Sequence, residues 1–202
     1  MPSSIQMFTF LFLMLGPFKI IGPFVKITKN ASPALTRQIA FRATLFSVIA
    51  LLLAGLLGEN ILAKYGIPVS ILALSAGIIL FLVALLNVIR QFEPHPQKNE
   101  AVQEPTLNMA INPLAFPSIV TPYGIAAVIA FLAISPEPGT KLTIGLMVLG
   151  IMILNLIFML IAKNIFKPLS LILTLLGAIL GVVQVALGLM IIINQTKAVL
   201  AL

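Results

Sequence analysis

Five prolines fall where a membrane-crossing helix would avoid them. Pro17 and Pro23 lie in Gly16-Pro17-Phe18-Lys19-Ile20-Ile21-Gly22-Pro23. Pro113, Pro117 and Pro122 lie in Asn112-Pro113-Leu114-Ala115-Phe116-Pro117 through Thr121-Pro122-Tyr123-Gly124. Proline inside a helix removes a hydrogen bond and clashes with the preceding turn. In hydrocarbon the freed amides and carbonyls have no water to turn to, so unwound backbone persists only inside protein or beside a wet cavity. A broken segment aims half-helix N-termini at an anion and half-helix C-termini at a cation. A zwitterionic solute needs both. A kink accounts for one proline. Two clusters, each carrying glycine and one carrying Asn112, point to a binding site, with Asn112 and Thr121 as its polar ligands.

Lys19 is the sharpest single residue. An ammonium inside a span is costly and is functional or snorkels to the interface. It can hold a carboxylate, or it can reach toward the headgroups where Lys26 and Lys29 follow. Ser47, Ser75, Asn87, Asn155 and Gln184 are deep polar residues of the kind that join helices by hydrogen bonds. Gly177, Gly181 and Gly188 suit close helix packing.

What is missing narrows the chemistry further. There is no cysteine, and the single histidine, His95, lies in a polar loop. All five carboxylates (Glu59, Glu93, Glu100, Glu104, Glu137) map to loops or interfaces. The spans thus hold no His, Cys, Asp or Glu to act as base or nucleophile for an enzyme, no metal cluster and no carboxylate to carry a coupled proton; a Ser–Lys pair with Lys19 is formally open, but nothing places a serine beside it. No catalytic residue, metal or cofactor is expected.

The elements that must position these residues are membrane spans. Sixty per cent of the 202 residues are hydrophobic and 8% are charged, against roughly a quarter charged in soluble domains. Lipid must be the main solvent. The net charge of +7 fits loops beside anionic headgroups rather than nucleic acid. Six stretches approach the roughly 20 apolar residues a spanning helix needs: 5–27, 38–57, 68–89, 106–134, 142–162 and 169–193. The first has no basic leader and reads as a retained span. The one long hydrophilic stretch, 91–105, separates the two halves, 5–90 and 106–195.

Basic residues orient the chain. Lys26, Lys29, Arg37, Arg42, Arg90, Lys98, Lys163 and Lys167 gather on one side, and Lys64, Lys141 and Lys197 on the other. The positive-inside rule puts the first group in the cytoplasm and both termini outside it. The halves also match at a constant offset of 100 residues: Pro17 with Pro117, Pro68-Val69-Ser70 with Pro168-Leu169-Ser170, Gly77 with Gly177. Three spans per unit is odd, so a repeat would be inverted, as in many secondary transporters. The expected fold is an all-α membrane protein of six transmembrane helices in two inverted three-helix repeats, with helices one and four broken.

The stretch Asn112-Pro113-Leu114-Ala115-Phe116-Pro117 through Thr121-Pro122-Tyr123-Gly124-Ile125-Ala126 resembles the fourth-segment signature of the MarC family. Ser75-Ala76-Gly77-Ile78-Ile79-Leu80-Phe81-Leu82 is similar to its third-segment core, and Gly22-Pro23-Phe24 through Thr28 to its entry motif. The likeness covers essentially the whole chain. Gly16 stands where that family usually has Asn or Asp, Lys19 lies inside a first motif one residue longer than usual, and Thr121 and Tyr123 replace glycines. The resemblance implies a multi-pass inner-membrane protein akin to amino acid exporters, some relatives moving small neutral amino acids.

The expectation is therefore a secondary transporter, exporter or exchanger, of a small zwitterionic solute. Its site would lie near the bilayer midplane at Pro17, Lys19, Gly22, Pro23, Asn112, Pro113, Pro117, Thr121, Pro122 and Gly124. Membrane lipid surrounds it, and a homo-oligomer is compatible with the sequence. A channel-like pore and a non-transporting membrane scaffold are the rival readings.

Overall fold

A backbone in hydrocarbon must satisfy its own polar groups, and in an open chain only the helix does so. The computed structural model describes residues 3–90, 104–135 and 137–200, and among them every regular element is helical. These are α1 (Ser4–Leu15), α2 (Phe18–Ile27), α3 (Pro33–Tyr65), α4 (Val69–Arg90), α5 (Pro122–Ala133) and α6 (Pro138–Leu200). A 3₁₀ turn (Leu107–Ala110) and an irregular π-type stretch (Ile111–Ile119) precede α5. Most of the hydrophilic stretch 91–105 lies outside the described residues.

Local signals set the helix ends. Ser3 and Gln6 form a capping box at the start of α1, satisfying two orphan donors at once. Ser32 caps α3 by accepting from Leu35 N, with Pro33 at the first helical position. Gly66 ends α3 in the left-handed region at φ 62°, which glycine adopts without a Cβ penalty.

The first crossing, Ser4–Ile27, is α1 and α2 together, and α3 and α4 are the second and third. The fourth joins Leu107–Ile119 to α5 with a bend of 61°. α6 holds two further apolar stretches, Pro138–Phe166 and Leu175–Leu200. It must turn back between them. A straight helix would hold Asn155 and Gln184 about 44 Å apart, at ~1.5 Å per residue. Yet Asn155 bonds the carbonyl of Leu15, and Gln184 bonds that of Leu13. Six crossings are the result, with Gln6 and Gln195 at one end of the same cavity.

Two lysines anchor opposite ends of the bundle. Lys141 pairs with Glu59 at 2.6 Å, joining the end of α3 to the start of α6. Lys163 bonds Ala31 O at 3.2 Å and the Thr36 hydroxyl at 3.0 Å on the opposite side. The Glu59 pair is about a third exposed, so it contributes about 1 kcal/mol at most.

Interruptions fall in both expected segments. Gly16 and Phe116, one offset apart, are both extended, and Pro17 and Pro117 follow them. The expected second break at Gly22-Pro23 is absent. α2 runs through both residues to Ile27. Pro23 points outward, and the helix loses only the bond that proline cannot donate.

Glycines set the packing of α4 on the last stretch of α6. A Cβ on Gly77 would meet Ile191 at 2.7 Å, one on Gly181 would meet Val88 at 3.0 Å, and one on Gly188 would meet the Phe81 backbone at 2.8 Å. These pairs share one antiparallel register. Gly177, matched to Gly77 by the offset, has nothing within 4 Å. Gly188→Ala is expected to lower thermal stability in detergent by about 1–3 kcal/mol, the usual cost of overpacking. Gly177→Ala is expected to hold or raise it, because alanine is the better helix former. Equal melting shifts for the two variants would contradict this packing.

Candidate functional site

The site begins with an unsolved backbone problem. α1 stops at Leu15, Gly16 is extended (φ −71°, ψ 165°), and Pro17 opens α2. A Cβ on Gly16 would fall on the Phe12 carbonyl, so only glycine fits there. The last four carbonyls of a helix lack intrahelical donors, and here they lie inside a membrane protein. Three side chains from elsewhere supply the donors. Gln184 Nε2 reaches Leu13 O at 2.9 Å, Asn155 Nδ2 reaches Leu15 O at 2.8 Å, and Lys19 Nζ donates to Met14 O. Asn155 and Gln184 are almost fully buried. Phe18 packs edge-on against Phe12 and Phe158 beside the break.

The second break faces the first. α5 starts at Pro122, with Thr121 as N-cap accepting from Gly124 N at 3.1 Å. A Cβ on Gly124 would meet Leu15 at 2.6 Å, so this glycine lets the start of α5 approach the end of α1. Tyr123 projects from that first turn. Lys19 Nζ donates to its hydroxyl at 3.2 Å and sits 5.1 Å from its ring centroid. Lys19 of α2 and Tyr123 of α5 thus meet across the junction.

A cavity of about 630 Å³ ends on this junction. Gln6, Ser70, Ile134 and Gln195 border it at the end where α1 and α4 begin and α5 and α6 finish. Met14, Leu80 and Tyr123 lie at its deep end. Its sides are mostly alanine and larger apolar residues from α1, α4, α5 and α6. Tyr123 presents its side chain at the deep end, and Lys19 lies behind it, outside the cavity lining.

The expected site residues divide into two groups. Pro17, Lys19, Thr121 and Gly124 gather at the junction, and Pro122 opens α5 there with its ring exposed. Gly22 and Pro23 lie further along α2. Asn112, Pro113 and Pro117 are exposed and border no part of the cavity. Asn112 is non-helical (φ −126°, ψ 119°), but the fold does not bring it to Thr121. Sequence reasoning missed Tyr123 as a site residue. The available signal was a phenol two positions from Thr121 in a proline-rich turn. Asn155 and Gln184 join elements as expected, but their partners are backbone carbonyls rather than side chains.

Comparison with known proteins extends the picture. The profile described as MarC family integral membrane protein matches residues 1–200. The chain is 28% identical to a membrane protein of Methanocaldococcus jannaschii over 197 residues, covering 96% of this chain and 95% of the relative. It is 28% identical to the inner membrane protein YhgN of Escherichia coli, covering 68% of each. It is 24% identical to the inner membrane protein MarC of Salmonella paratyphi A, covering 57% of this chain and 55% of the relative. No solved structure matches.

Removing a cap leaves a buried carbonyl bare. A stranded buried polar group costs about 1–3 kcal/mol, while hydrogen bonds between membrane helices average about 0.6 kcal/mol. Asn155→Leu and Gln184→Leu are each expected to lower stability by about 1 kcal/mol and to speed hydrogen exchange around residues 11–20. Unchanged exchange there in both variants would show that water already satisfies these carbonyls.

Proposed function

We propose, from the premise that the chain belongs to the MarC family of integral membrane proteins, that it is a secondary transporter whose solute binds where its two broken crossings meet. The cavity that ends on the Lys19–Tyr123 junction carries this reading. It enters from one side of the membrane and stops at buried side chains, which favours an alternating-access carrier over a standing pore.

The opposite side offers the matching half. Extended backbone at Asn112 and Phe116, with Pro113 and Pro117 exposed beside it, is intolerable against lipid and acceptable against water. In this reading the stretch lines a water-filled approach from the basic, cytoplasmic side, and the cavity opens away from the cytoplasm. Rocking of two inverted three-helix units would expose the junction to each side in turn.

Small neutral amino acids are the solute class that the resemblance implies, with export or exchange as the direction. Their carboxylate suits the deep end of the cavity. No catalytic step is part of this reading.

The test is counterflow of labelled alanine, glycine and serine in liposomes. Saturable counterflow is expected, lost in Thr121→Val, which removes the α5 cap, retained in Thr121→Ser and unaffected by Asn112→Ala. The cysteine-free chain allows a parallel measurement: Ala130→Cys should react with an impermeant maleimide from one side only, with solute slowing the reaction. Labelling from neither side, with no counterflow, would overturn the carrier reading.

A further inference from the structure

Resting on the transporter reading, we propose that the preferred solute is a monoanion with an apolar body, recognised by its carboxylate at the Lys19–Tyr123 end of the cavity, and that a free ammonium on the solute is a liability.

The polar groups are distributed unevenly. Among the described residues, Tyr123 is the only polar side chain bordering the cavity away from the mouth, and no carboxylate borders it. An ammonium would need acceptors at depth. The carbonyls that a broken α1 would normally offer, those of Leu13, Met14 and Leu15, already accept from Gln184, Lys19 and Asn155. Asn155 Oδ1 is a buried acceptor without a partner, but Asn155 does not border the cavity. A solute ammonium pressed among alanine side chains would lose its hydration and gain nothing in return.

An anion meets the opposite situation. Lys19 carries three donor hydrogens, and its protein partners are Met14 O and Tyr123 Oη. No carboxylate among the described residues pairs with it. Lys19 itself does not border the cavity; its charge acts from behind Tyr123, whose hydroxyl accepts from Lys19 and can donate its own hydrogen to an incoming carboxylate. The first turn of α5 adds a dipole of the same sign. The apolar sides accept a branched or aromatic body larger than the methyl group of alanine.

The experiment compares three ligands of one carbon skeleton, isocaproate, leucine and isocaproamide, by calorimetric titration into the full chain in nanodiscs. Isocaproate is expected to bind at least about tenfold more tightly than either of the others, as sites built around one polar group reject its mismatches. Lys19→Met should abolish that preference, Lys19→Arg should keep it, and Tyr123→Phe should weaken it severalfold, with helix content followed by circular dichroism. The inference fails if leucine binds as tightly as isocaproate, if isocaproate does not bind, or if its preference survives Lys19→Met. It fails too if affinity keeps rising up to membrane-length acyl chains, which would assign the cavity to lipid. Alanine counterflow without isocaproate binding would sink this inference and spare the transporter. Lys19-dependent isocaproate binding without any counterflow would spare the site and sink the transporter.

Discussion

The end of α1 has to be capped from outside its own helix, and much of the architecture follows from that need. Gly16 and Pro17 stop the helix in mid-membrane and free carbonyls that lipid cannot satisfy. Lys19 comes from the helix beyond the break, Asn155 from the first arm of α6 and Gln184 from its second. Each bond alone is modest, about 0.6 kcal/mol by the average for membrane helices. Together they tie three segments to one point. They also require α6 to double back, because both of its arms must reach neighbouring carbonyls.

The same capping separates structure from function at the two breaks. Once the α1 carbonyls are occupied, the first break is scaffold and offers a solute little beyond Lys19. The fourth crossing is built differently. Thr121 caps α5 locally, Gly124 lets that helix press against Leu15, and Tyr123 is turned toward the cavity. Upstream, Asn112 and Phe116 keep exposed extended backbone. Two proline clusters that look alike in sequence thus divide the work, one buttressed on all sides and one leaving polar groups available.

Much of this was legible beforehand. Apolar run lengths gave the crossings, and the Glu59–Lys141 pair and the Lys163 contacts lie at opposite ends of them. Proline chemistry located the interruptions near Pro17 and ahead of Pro122. It erred at Pro23, since a single missing donor on an exposed helix face need not unwind a helix. It placed Asn112 in the site because asparagine beside unwound backbone is a good ligand, yet which way an irregular segment faces is decided by packing on α2 and α3. The partners of Leu13 and Leu15 lie 171 and 140 residues away. No local pattern announces such a meeting. Tyr123 was missed for the same reason, since its role exists only once Lys19 is beside it.

Lys19 shows how a membrane interior can hold an amine with no carboxylate partner among the described residues. A salt bridge would need a carboxylate, and among the described residues none reaches Lys19. The ammonium is held instead by a backbone carbonyl, a phenol oxygen and the face of that phenol's ring. Such partners are dipoles and a quadrupole, and they compensate an ion only in part. A site meant purely for stability would do better with a neutral donor at Met14 O, as Asn155 and Gln184 do at the neighbouring carbonyls. Lys19 does not border the cavity; it sits directly behind Tyr123, which does. Lys19 is therefore more than a third cap of α1: through Tyr123 it ties that cap to the first turn of α5.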